Sequence, residues 1–129
     1  EFPANSLPPH PRVHYIGGFN GVASLPAEKY DAFLYTSLFD GMPNTPVEIA
    51  LRGLPIVAAR VGGLPDFIGE NGFIVDDITN PKAYAKYIKQ TLDGIELSFH
   101  KAKNLREKAS REFSEDSFIG EVKDMLSNN

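Results

Sequence analysis

Residues 32–60 read AFLYTSLFDGMPNTPVEIALRGLPIVAAR, and the alternation inside this stretch decides the fold. The run from Ala32 to Ser37 is apolar, aromatic and bounded by turn residues, which predicts a strand. After a loop, Val47, Ala50, Leu51 and Leu54 fall at i, i+3, i+4 and i+7, the spacing of one helix face, and Gly53 is placed to end that helix. Pro55 to Arg60 is a second apolar run, so the segment is strand, helix, strand. Working outward, Val13 to Ile16 and Gly72 to Asp76 have the same character, and three of the four runs are nearly continuous in apolarity, as buried strands are. Strands alternating with helices pair in parallel, and right-handed crossovers put helices on both faces. The expected fold is α/β: a Rossmann-like, doubly wound, three-layer α/β/α arrangement with a short parallel sheet of about four strands.

Before these runs, residues 1–12 carry Pro3, Pro8, Pro9 and Pro11 and read as a lead-in, leaving 13–129 as one domain. After them the pattern is helical. Asn80 and Pro81 supply a cap and a first-turn proline for a helix with Tyr84, Tyr87, Ile88 and Leu92 inward, ended by Asp93-Gly94. A second helix places Ala102, Leu105, Ala109 and Phe113 on its inner stripe. A third is expected from Ser114, with Glu115 and Asp116 in its first turn and Phe118, Val122, Met125 and Leu126 toward the core.

The 129 residues are 42% hydrophobic, enough for one modest core. Thirteen basic against 17 acidic side chains give a net charge of -4, which argues against a nucleic-acid surface. The absence of cysteine removes disulfides, thiol redox chemistry and thiolate metal sites, and fits a cytoplasmic setting. No apolar run approaches the roughly 20 residues that cross a bilayer, so membrane contact is expected to be peripheral at most, at the inner face. His10, His14 and His100 are too scattered to form a ligand cluster, and Asp76-Asp77 reads as a strand-end turn, so no metal is expected. The basic run His100, Lys101, Lys103, Arg106, Lys108 and Arg111 could face anionic lipid, although its register suits a solvated helix face better.

Open parallel sheets bind ligands at the carboxyl ends of their strands. There the loop Leu38-Phe39-Asp40-Gly41-Met42-Pro43-Asn44-Thr45-Pro46-Val47-Glu48 brings together a carboxylate, a glycine turn and a helix N-terminus. The N–H groups of Gly41, Met42, Asn44, Thr45 and Val47, with the positive end of the helix dipole, suit a diphosphate, and Asp40 and Glu48 can accept from sugar hydroxyls. The same residues also have a purely structural reading. Thr45-x-x-Glu48 is a capping box with Pro46 at the first helical position, and Asp40-Gly41 is a common turn pair. Spacing leaves both readings open.

From about Val13 to Leu92 the chain resembles the C-terminal domain of family 4 of the retaining GT-B glycosyltransferases, on three motifs in order. Asp40-Gly41-Met42-Pro43-Asn44-Thr45-Pro46-Val47-Glu48 resembles the family's Glu-x7-Glu signature. Arg52-Gly53-Leu54-Pro55-Ile56-Val57-Ala58 resembles its Gly-x-Pro-Val-Val-Ala, and Gly62-Gly63-Leu64-Pro65-Asp66 its Gly-Gly-x-Pro-Glu. The resemblance implies a donor-binding domain for a nucleotide diphosphate sugar, with no other cofactor. Asp40, the catalytic candidate, would contact donor-sugar hydroxyls; Gly41, Met42, Pro43, Asn44 and Thr45 would form the diphosphate loop; Glu48 would accept from the ribose. Gly18 and Phe19, in a loop that resembles the one near the base, and Gly62 and Gly63, after the next strand, are secondary candidates.

Two departures from the family pattern matter. Asp40 stands where Glu is usual and is one methylene shorter. The family's two opening strand–helix units, with an Arg and a Lys for the diphosphate, and its acceptor domain have no counterpart here, so this chain alone is expected to be inactive. The missing strands would leave a gap between the first two apolar runs, expected to close by their direct pairing or by association with another copy. The partners implied are the nucleotide sugar and a glycan or lipid-linked acceptor held by the N-terminal domain. A non-catalytic nucleotide-binding module and a nucleotide-sugar epimerase on the same scaffold are the alternatives.

Overall fold

A computed structural model describes residues 8–41 and 43–113, with residues 123, 126 and 127 near the end. Its centre is β2, Ile56–Ala59, all four of whose residues are buried. Two shorter strands flank it in parallel: β1, Phe33–Tyr35, and β3, Phe73–Val75, in the order β1-β2-β3. A strand covered on both faces must be apolar throughout, and Ile-Val-Ala-Ala meets that demand.

The register assigns the layers. Leu34 pairs with Val57 and Val57 with Phe73, so these three point to one face, while Tyr35, Ala58 and Ile74 point to the other. Phe73 stacks on Tyr87 with ring centroids 4.9 Å apart, which puts α3, Pro81–Asp93, on the first face. On the opposite face lie α1, Asn44–Leu51, and α2, Leu64–Ile68, and α4, Ile95–Glu112, packs along α1. The result is the expected three-layer, Rossmann-like α/β fold.

Local chemistry explains the helix limits. The Asn80 side chain accepts from the Lys82 amide at 3.1 Å and Pro81 opens α3, as its sequence predicts. Gly53, at φ 74, ends α1 because only a residue without Cβ turns there at little cost. The α1 stripe differs from its sequence reading. Pro46, Val47, Ile49 and Ala50 are buried whereas Leu51 is exposed, and Leu54 is buried beyond the helix end. Leu92, on the expected inner stripe of α3, is also exposed, and the buried side chains there are Tyr84 and Thr91. Along α4, Ala102, Leu105 and Ala109 are buried as expected; Phe113 is half-exposed and meets the Phe67 ring edge-on at 5.4 Å. The third helix expected from Ser114, with Phe118, Val122 and Met125, lies outside the described residues; Leu126 is 71% exposed and does not face the core.

Among the described residues the sheet has three strands rather than four. Val13 to Ile16 forms no strand, and Val13, Tyr15 and Ile16 are exposed, so the direct pairing expected with the Ala32–Ser37 run does not form. Gly17 and Gly21, both at φ 77, turn the chain, and the segment attaches through 3-10 turns at Val22–Ser24 and Ala27–Lys29. There the Arg52 guanidinium donates to the Val22 and Leu25 carbonyls at 3.3 and 3.2 Å. No helix among the described residues is long and apolar enough to cross a membrane.

Candidate functional site at the carboxyl edge of the sheet

The loops that leave the three strands meet in an open cleft of about 570 Å³. Leu38, Phe39 and Asp40 come from the loop after β1, Arg60 and Gly62 from the turn after β2, and Ile78 from the turn after β3. A cleft over the carboxyl ends of parallel strands is where α/β sheets hold ligands, because helix N-termini and loop amides converge there.

Asp40 is fixed by the strand beneath it. The hydroxyl of Tyr35, the last residue of β1, donates to Asp40 Oδ2 at 2.7 Å. Burial, and then the hydrogen bond to that carboxylate, hold the Tyr35 phenol protonated to higher pH than an ordinary tyrosine. The bond occupies one carboxylate oxygen and orients the other. Within the same loop the Ser37 hydroxyl donates to the Phe39 carbonyl at 3.0 Å. The Phe39 side chain stands 89% exposed at the rim.

Gly62 and Gly63 dock onto this loop through backbone alone. The Gly63 amide donates to the Gly41 carbonyl at 2.8 Å, and a Cβ on Gly62 would lie 1.6 Å from that oxygen. Gly62 also has φ 52. Its need for glycine is therefore explained by contact between two loops of the chain. On the far wall, the Tyr84 hydroxyl donates to the Ile78 carbonyl at 2.8 Å and so sets the turn after β3. Burial and the charge of Asp77 raise that phenol's pKa as well.

Of the structural reading of this loop, the helix cap does not form. The helix begins at Asn44 with Pro43 as its cap residue and no side-chain capping bond, so the Thr45–Glu48 capping box does not form. Thr45 and Pro46 are already inside the first turn, with no acidic residue there to offset the positive end of the dipole. The Asn44 and Thr45 amides belong to the set that helix geometry leaves without intrahelical acceptors, whereas Val47 is the first amide taken up inside the helix and drops out as a donor. Glu48 is exposed one turn further on.

Of the predicted site residues, the structure brings Asp40, Gly41, Gly62 and Gly63 together. Asn44, Thr45 and Glu48 follow on α1 outside the cleft lining, and Met42 lies outside the described residues. Gly18 and Phe19 are not brought to Asp40: Phe19 lines a separate apolar pocket of about 270 Å³ with Phe33 and Leu54, beside the start of β1. Sequence reasoning missed Tyr35 and Arg60. The signal for Tyr35 was its place at the end of an apolar run; for Arg60, a lone cation at the end of another.

The sequence profile described as glycosyl transferases group 1 matches residues 4–94, which hold the whole sheet and the three loops of the cleft. Spore coat protein SA of Bacillus subtilis (strain 168) is 34% identical over 86 residues, covering 64% of this chain and 23% of that protein. Vi polysaccharide biosynthesis protein VipC/TviE of Salmonella typhi is 32% identical over 68 residues, covering 51% of this chain and 12% of that protein. The chain thus spans less than a quarter of the length of these relatives. With most of its length, its sheet and its carboxyl-edge loops inside the match, the chain belongs to the glycosyl transferases group 1 family.

Proposed function

We propose that this chain is the donor-binding part of a retaining GT-B glycosyltransferase that moves a sugar from a nucleotide diphosphate sugar to a glycan or lipid-linked acceptor. The observation that carries the reading is Asp40, held by Tyr35 at the mouth of a cleft built from all three strand ends. In this role the free oxygen of Asp40 accepts from donor-sugar hydroxyls. The amides of Gly41, Asn44 and Thr45, beside an uncompensated helix N-terminus, hold the diphosphate. Glu48, exposed on the same side of α1 as Asn44, accepts from the ribose. The acceptor belongs to a further domain, so the chain by itself binds donor without transferring sugar.

The test is Asp40→Ala in a full-length transferase carrying this segment. Loss of a polar contact made to the reacting sugar should lower kcat about 10²-fold or more while the fold is kept. Unchanged transfer would reduce the site to a nucleotide-binding module without a catalytic carboxylate.

A further inference from the structure

Resting on that donor-site reading, we infer that Arg60 is the cation of this cleft and holds the donor's diphosphate, with Asp76 orienting its guanidinium. Among the cleft residues Arg60 is the base and Asp40 the acid, so the lining offers one group for phosphate oxygens and one for sugar hydroxyls. With a net charge of -4 the chain as a whole does not attract an anion, so an anionic ligand depends on local groups, and Arg60 adds a cation to the loop amides.

The geometry of the pair supports the assignment. Arg60 is the first residue beyond β2, and its amide donates to the Val75 carbonyl at 2.9 Å, which fixes its backbone beside the end of β3. Its Nε donates to Asp76 Oδ1, and Asp76 follows β3 directly. Because that bond uses Nε, the two terminal amino groups keep their N–H donors, and no acceptor among the described residues takes them. Two parallel donors on a planar fork match two oxygens of a phosphate. The fold gains little from the arrangement, since the Arg60 side chain is 53% exposed and that of Asp76 72%, and exposed pairs contribute little to stability.

Calorimetric titration of the chain with UDP, GDP and ADP, and with the matching nucleosides, tests the inference. For whichever nucleotide binds, Arg60→Gln should weaken the diphosphate about tenfold or more and leave the nucleoside unchanged. Arg60→Lys should recover only part of the loss, because an ammonium lacks the fork. Asp76→Asn should keep most of the affinity. Equal binding of the diphosphate by wild type and Arg60→Gln overturns the role of Arg60 while leaving the donor site standing. Asp76→Ala, which leaves Nε without its acceptor, should lose part of the affinity, and unchanged binding in that variant overturns the orienting role of Asp76. If no diphosphate binds the wild-type chain, the donor site and the inference fall together.

Discussion

At Gly62 the chain allows no side chain: a Cβ there would meet the Gly41 carbonyl at 1.6 Å, and the backbone sits at φ 52. Gly62→Ala should destabilise the chain by about 3 kcal/mol or more, through left-handed backbone and overpacking together. Gly53→Ala is the control, since φ is 74 there but the nearest atom to the added Cβ is Arg106 Cδ at 3.8 Å. It should cost only the backbone term, about 1–2 kcal/mol. Urea unfolding of the two variants separates these cases, and equal losses would remove the loop-docking explanation. Tyr35 makes a prediction in pH. Its folded pKa is raised, so its hydrogen bond to Asp40 stabilises fully below the unfolded value of about 10 and is lost as pH rises through the folded one. The difference in melting temperature between wild type and Tyr35→Phe should therefore be constant near neutrality and shrink above about pH 10. A gap that persists at alkaline pH would show that the phenol contributes by packing alone. Asp40 was legible from the order of motifs around it. Tyr35 was not, because an aromatic at a strand end reads as core until the loop beyond it is seen to fold back.

Among the elements, α3 and α1 show opposite outcomes for the same kind of signal. Asn80-Pro81 and Thr45-Pro46 both look like helix starts in sequence, yet the Asn80 side chain caps α3 while Thr45 caps nothing. Asn80→Ala should cost about 1 kcal/mol, and Thr45→Ala close to none. Thermal unfolding that ranked the two equal would restore the capping box. What α1 starts from is Pro43, whose extended backbone at φ -69 and ψ 132 admits the helix two residues before the box would. Periodicity located every described helix it was applied to, but it misjudged the ends: Leu51 and Leu92 fit the stripes and still face solvent, while Ala50 and Thr91 beside them are buried.

For the whole molecule, the parallel sheet and its two helical faces were readable from alternating apolar runs, since only parallel pairing suits strands joined by helices. The fourth strand failed because apolarity makes a strand possible and pairing makes it real. Val13 to Ile16 has no neighbour in the sheet, and β1 keeps an outer edge that no described residue pairs. The meeting of Asp40, Arg60 and the Gly62 backbone at those ends could not be read beforehand, because it depends on how three separate turns lean on one another. The measurement that bears most directly on the proposed donor site is an amide NMR titration of the chain with UDP, GDP and ADP in parallel. Selective shifts for one nucleotide at Gly41, Asn44, Thr45 and Glu48, with Gly62 following through its contact with Gly41, are the predicted result. Shifts at none of these positions with any nucleotide would contradict the account.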